Sequence, residues 1–224
     1  MPDGRAANQA DSVATLTPPM AAPLPGACDS RAVIVLPGLF TSDARTRMLR
    51  RVLRRAGYRA HGWSLGYNMP VRADSLTRFD AAVEAVRGRE GGGQVTLIGW
   101  SLGGIIAREY ARAHPDKVAQ VITLGSPFSG NPRANRAWRL YELIADHKVD
   151  APPIPNPRAG KPPVPVTAIW SARDGIVSVG SARGGEDERD AEIEVGCGHL
   201  ALTCAPDAME AVLRTLVAES SRRR

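Results

Sequence analysis

Strand and helix signals alternate from residue 31 to near the end of the chain. This alternation predicts an α/β fold, with about six strands in a mainly parallel sheet and helices on both faces. Two other observations agree. The 224 residues suffice for one sizeable core, and 43% of them are hydrophobic, as in ordinary soluble domains. Breakers such as Gly57, the Glu90–Gly93 turn and Pro115 separate successive apolar segments. A sheet of this kind binds ligands outside the carboxyl ends of its strands.

Ala32–Leu36 is an apolar strand. Residues 43–56 read as a helix, with Thr41, Ser42 or Asp43 as caps and Gly57 as the stop. Its apolar stripe is Met48, Leu49, Val52, Leu53 and Ala56. Residues 58–63 are a second strand, 74–87 a helix and 95–98 a third strand. The helix after Ser101 carries Ile105, Ile106, Tyr110 and Ala113 near one face and stops at Pro115. Strands follow at 118–124, 164–170 and 191–195. A closing helix spans 206–218 with proline at its start. Residues 129–163 interrupt the alternation with a helix over 135–146 and a proline-rich return at 152–157. Following the fourth strand, this insert is either a small cap over the site or a surface excursion. The organisation expected is a flexible leader over 1–30, one domain over 31–220 and a basic tail over 221–224.

The net charge is +6, from 29 basic and 23 acidic residues. Arg45, Arg47, Arg50, Arg51, Arg54 and Arg55 supply much of the excess. Because they fall on the faces left by the apolar stripe, they read as the solvated side of a helix packed on a sheet. The rival reading, an anion- or nucleic-acid-binding face, is not favoured. No apolar run is long enough to cross a membrane, and no charged start followed by an apolar stretch opens the chain. The expectation is a cytoplasmic protein with no stable membrane insertion. Three cysteines, Cys28, Cys197 and Cys204, suggest reduced thiols, although a Cys197–Cys204 bridge is possible. No cysteine–histidine spacing resembles a zinc site, and no metal or organic cofactor is implied.

The pentapeptide Gly-Trp-Ser-Leu-Gly occurs twice, at 62–66 and 99–103. Gly-x-Ser-x-Gly marks a strand, a sharp turn bearing a strained nucleophilic serine, and a helix. Only the second copy has that context. Residues 94–98 precede it as a strand and a helical segment follows. The first copy runs into Tyr67-Asn68-Met69-Pro70, which is loop chemistry. Ser101 is therefore the nucleophile candidate and Ser64 a decoy.

A serine hydroxyl needs a base, and the base an orienting carboxylate. Of four histidines, His61 lies in a strand, His147 ends the insert helix, and His114 ends the helix after Ser101, about 20 Å away. His199, in the loop after the last strand, lies at the carboxyl edge with Ser101. It is the candidate base, with a buried structural role as the alternative. Asp174, just past the fifth strand, is the candidate acid. Asp187 and Asp190 are weaker candidates, and a turn or cap role is the bland reading of Asp174. The backbone N–H groups of Leu39 and Leu102 are the candidate oxyanion donors.

Together these segments resemble the α/β-hydrolase superfamily, in its lipase and carboxylesterase branches. The resemblance rests on Gly-Trp-Ser-Leu-Gly-Gly at 99–104, Ala-Arg-Asp-Gly-Ile-Val at 172–177, Gly-Cys-Gly-His-Leu at 196–200, and Leu-Gly-Ser-Pro-Phe-Ser-Gly at 124–130. Pro37 and Phe128 stand where the family usually has histidine, and six strands replace its usual eight. The resemblance implies a serine ester hydrolase acting on a small-molecule or lipid ester, with Ser101, Asp174 and His199 as triad. Phe40, Trp138 and Tyr141 are candidates for the acyl pocket, with Phe40 and the 67–71 loop as the alternative wall if the insert is a surface excursion. Thioesterase, amidase or acyltransferase chemistry on the same triad, or a catalytically silent ligand-binding member, are the rival readings. Oligomeric state is not legible.

Overall fold

The computed structural model describes residues 31–131 and 160–222, and residues 133, 135, 142, 148, 151 and 153 between them. The leader, most of the insert with Trp138 and Tyr141, and His147 lie outside the described residues.

Among the described residues six strands form one sheet: β1 (Ala32–Leu36), β2 (Arg59–Gly62), β3 (Val95–Trp100), β4 (Val118–Leu124), β5 (Val166–Trp170) and β6 (Ala191–Glu194). Their order is β2-β1-β3-β4-β5-β6, and every pairing is parallel. The α/β-hydrolase architecture expected from sequence is the one observed. The chain moves from β1 outward to β2, returns past β1 to β3, and then continues the other way. The order thus reverses between β1 and β3, which opens a crevice at their carboxyl ends. Leu36 pairs with Gly99 across that point, so the residues after β1 lie beside Trp100 and Ser101.

Strand side chains alternate between two buried layers. Ile34, Leu36, Leu97, Val121 and Val166 meet α2 (Ser75–Arg89), through Phe79 and Val83, and α3 (Leu102–Ala113), through Ile106 and Tyr110. Val33, Val35, Ile98, Ile122 and Ile169 meet α1 (Arg47–Arg55), through Leu49 and Leu53, and the C-terminal helix, through Val212 and Leu216. Helices cover both faces, which is why the strands are apolar on both sides.

Several boundaries differ from expectation. Helix α1 starts at Arg47, behind Thr46, because Asp43 is engaged elsewhere (below) and does not cap it. Met48 is 46% exposed and drops out of the stripe. Helix α3 is buried around most of its circumference, while Ala113 is exposed. A short helix α4 (Val179–Arg183) was not legible, and the closing helix α5 (Pro206–Arg222) takes in Ser221 and Arg222 of the expected basic tail. No helix among the described residues is long and apolar enough to cross a membrane.

Burial of α3 carries two charged side chains inside. Arg108 is 1% exposed. Its guanidinium donates to the carbonyls of Glu188 at 2.9 Å and Gly160 at 3.0 Å and stacks on Phe128 at 4.1 Å. Desolvation lowers its pKa to about 10. Glu109 is 2% exposed, and neither carboxyl oxygen accepts a hydrogen bond. Burial pushes its pKa up to about 7, against partial relief from Arg112 and Arg108. Its folded pKa thus exceeds the unfolded value of about 4.3. Between these two values the native chain keeps a proton that the unfolded chain releases, so stability falls as pH rises from about 4 to about 7. Glu109→Gln removes this loss. Urea unfolding should show the variant gaining on wild type by up to about 3 kcal/mol between pH 4 and pH 8, with no such trend if the carboxyl is ordinary.

Candidate active site

The turn from β3 to α3 is set by close backbone contact. A Cβ at Gly99 would overlap the backbone of Gly104, and one at Gly103 would lie 2.6 Å from the carbonyl oxygens of Leu36 and Pro37. With side chains absent, strand and helix nearly touch, and the residue between them takes the bend. That residue is Ser101, at φ 54° and ψ −124°, a conformation costly for any residue but glycine. The Ser101 N–H donates to Leu124 O at 2.9 Å, which ties the turn to the end of β4.

His199 and Asp174 meet at the same edge. His199 Nδ1 lies 2.7 Å from Asp174 Oδ2, and both residues are 5% exposed. The other carboxylate oxygen, Oδ1, accepts the N–H groups of Ile176 at 3.0 Å and Val177 at 2.6 Å. A carboxylate so placed is an acceptor, so Nδ1 must carry the proton that joins them. In the neutral ring, Nε2 is then the basic nitrogen. The backbone adds a second tie, from His199 N–H to Asp174 O at 3.2 Å. The end of β4 connects this pair to the serine: a Cβ at Gly125 would lie 2.8 Å from Asp174 Oδ2 and 3.2 Å from His199 Nδ1, next to the Leu124 carbonyl bonded by Ser101.

The loop after β1 reaches the same place. A Cβ at Gly38 would lie 3.1 Å from the Ser101 Cβ. Among the described residues no backbone acceptor takes the N–H of Leu39 or of Leu102. Buried Asn68 shapes the loop by donating from Nδ2 to Pro37 O at 2.6 Å and accepting the Phe40 N–H at 2.7 Å. From sequence Asn68 reads only as a member of the 67–71 loop, with no role of its own. Phe40 itself sits at φ 56° and is half-buried. A cavity of about 190 Å³ lies between Tyr67, Met69 and Pro70 of this second loop, Arg78 of α2 and Ile106 of α3. Phe40 does not line it.

The remaining candidates go elsewhere. His61 Nε2 pairs with Glu90 at 2.9 Å, and the His114 ring packs on Tyr110 at the far end of α3. Asp190 holds Lys161 and the Val166 N–H, and exposed Asp187 lies in a 3-10 turn. Cys197 and Cys204 are free thiols, that of Cys197 pushed up to about 11 by burial. Among the described residues no group of three or more His, Cys, Asp or Glu could hold a metal ion.

The first pentapeptide copy makes a similar bend, with Ser64 at φ 61°, but fills it differently. The Asp43 carboxylate accepts the N–H groups of Trp63 at 3.0 Å and Ser64 at 3.1 Å. The chain's own anion thus occupies the amides of this turn. From sequence Asp43 is one of three candidate caps for the first helix, with Thr41 and Ser42. Its partner lies some twenty residues away, which no local pattern reveals.

A family model described as alpha/beta hydrolase fold matches residues 24–151. Among solved structures the chain is similar to the monoacylglycerol lipase of Paleococcus ferrophilus, at 16% identity and a TM-score of 0.60, over 84% of this chain and 94% of that one. A structure of the metagenome-derived lipolytic enzymes LipS and LipT is similar at 17% identity and a TM-score of 0.62, over 87% and 94% of the two chains. The thioesterase domain of the curacin biosynthetic pathway is similar at 14% identity and a TM-score of 0.57, over 84% and 91%. A curated relative, the biotin biosynthesis bifunctional protein of Teredinibacter turnerae, is 53% identical over 34 residues, spanning 15% of this chain and 6% of that protein.

The close contact at the bend has a direct test. Gly99→Ala forces a methyl group into backbone that cannot yield, at an expected cost on the order of 3 kcal/mol or more. Gly88→Ala, in α2 with nothing within 4 Å, should stabilise by roughly 0.5–1 kcal/mol. Urea midpoints at constant m-value separate the two.

Proposed function

The chain belongs to the α/β-hydrolase family, and from that premise we propose that it is a serine hydrolase that cleaves carboxylic esters through an acyl-enzyme on Ser101. The observation that carries this reading is the buried His199–Asp174 pair at the sheet edge occupied by the strained serine. Ser101 Oγ attacks the acyl carbonyl while His199 Nε2 takes its proton. Asp174 keeps the ring oriented and stabilises the imidazolium. The Leu39 and Leu102 N–H groups receive the oxyanion. Collapse of the tetrahedral intermediate expels the alcohol, which leaves with the proton from His199. Water, deprotonated by the same nitrogen, then releases the acid and restores the serine.

The acyl chain is assigned to the cavity beside Tyr67 and Met69, because that loop is bonded to the oxyanion loop through Asn68. Of the pocket candidates read from sequence, Phe40 does not line this cavity, and Trp138 and Tyr141 lie outside the described residues. The same acyl-enzyme would accept a thioester. Turnover of p-nitrophenyl esters against acyl thioesters distinguishes the two leaving groups.

Ser101→Ala is expected to lower p-nitrophenyl ester turnover by roughly 10³-fold or more and to abolish labelling by a fluorophosphonate, while Ser64→Ala keeps both. The reverse pattern would move the site to the first copy. For the pocket, Tyr67→Ala and Met69→Ala should shift the preferred acyl length in a graded way, by about 1–3 kcal/mol per methylene, with little change on acetate esters. Unchanged length profiles in both variants would place the acyl pocket elsewhere.

A further inference from the structure

The residue inside the second pentapeptide, Trp100, has an arrangement that the catalytic reading does not use. Its indole is 2% exposed. The indole N–H donates to the carbonyl of His199 at 3.1 Å, and the ring centroid lies 5.4 Å from that of the imidazole. The backbone of the loop after β1 rests on the same ring: a Cβ at Gly38 would come within 2.9 Å of Trp100 Cε3 and 3.0 Å of Cζ3. A second side chain closes over it. The Arg45 guanidinium stands 5.4 Å from the Trp100 ring centroid and donates from Nη2 to the carbonyl of Leu200, the residue after His199. The first copy offers an internal contrast, since there the Trp63 indole N–H donates to Gly66 O at 2.9 Å, within its own turn.

We propose that Trp100 and Arg45 are positioning residues, a clamp that sets the distance between the His199 base and the Ser101 nucleophile. The inference rests on the ester-hydrolase reading above. Asp174 orients the imidazole but belongs to the β5 loop, and the end of β4 ties the pair to Ser101 only through packing at Gly125 and the Leu124 carbonyl, so a direct bond from β3 to the histidine loop adds a link that the pair itself does not make. Trp100 supplies that link, because it is covalently next to Ser101 and hydrogen-bonded to the backbone of His199. Arg45 then holds the following carbonyl, so that successive carbonyls of the histidine loop are tied to the layer carrying the nucleophile. The indole also supports Gly38, so one ring touches the nucleophile's strand, the base's loop and the oxyanion loop. Proton transfer from serine to histidine depends steeply on their separation, and a misplacement of about 1 Å can cost on the order of 100-fold.

The test uses Trp100→Phe, which keeps an aromatic ring and loses the donor, Arg45→Met, and the double variant. On a short p-nitrophenyl ester the clamp gives a fall in kcat of about 10- to 100-fold in each single variant with KM within about threefold. The double variant should cost little more than Trp100→Phe, since the two act as a unit. Arg45→Lys, which restores a donor, should recover part of the loss. Without substrate, the Nδ1–H proton resonance of His199 should broaden in Trp100→Phe. A folded Trp100→Phe protein with kcat within twofold of wild type and an unchanged resonance overturns the clamp. If that variant does not fold, an unchanged kcat in Arg45→Met does so. A wild-type protein that neither turns over esters nor takes up a fluorophosphonate sinks the ester reading instead. The histidine resonance then still decides the clamp.

Discussion

Everything at the site depends on how closely β3 and α3 approach. Gly99 lies against Gly104, and Gly103 against the carbonyls that end β1. No side chain fits in these contacts, so the turn between them has one residue with which to reverse direction, and that residue takes a positive φ. The strain is local, but it is held by the whole sheet: β3 pairs with β1 on one side and β4 on the other. A serine in a free loop would relax to an ordinary conformation and turn its hydroxyl away from the sheet edge.

A second requirement is that loops from four strands converge on this turn. The end of β4 is the hub, since Leu124 O takes the Ser101 N–H and Gly125 faces the Asp174–His199 pair. Asp174 is almost wholly buried, and a carboxylate there is tolerable because three donors surround it. The two pentapeptide copies show the alternative outcomes of one local sequence. In the first, the Asp43 carboxylate fills the amides of the turn. In the second, the β1 loop and the histidine loop flank the serine.

The arginine excess acts largely on backbone. Arg54 donates to Ala60 O, Arg50 to Asp43 O, Arg45 to Leu200 O, and Arg108 and Arg112 both to Gly160 O. A guanidinium has several donors on a long stem, so it can pin a distant carbonyl while part of it stays in water. Arg47, Arg51 and Arg55 form the exposed side of α1. Arg108 is the extreme case, with its charge buried over Phe128 and Glu109 buried next to it, the Glu109 Oε2 3.5 Å from Arg112 Nε.

The sequence by itself determined the alternation of strands and helices, the parallel sheet, and which serine follows a strand and precedes a helix. These follow from local patterns: apolar runs such as Ala32–Leu36 and Val118–Leu124, whose bounds agree in sequence and structure, and breakers such as Pro115. It also named His199 and Asp174, because chain order and sheet edge confine them to the loops after β6 and β5. The tertiary structure alone decided which side chains hold those loops in place. Asp43 reaches the turn after β2, Asn68 the loop after β1, and Trp100 and Arg45 the histidine loop, across separations of 20 to 155 residues. Such partners leave no periodicity in the chain. They are selected by where the sheet brings its carboxyl ends together, a property of packing and not of any local segment.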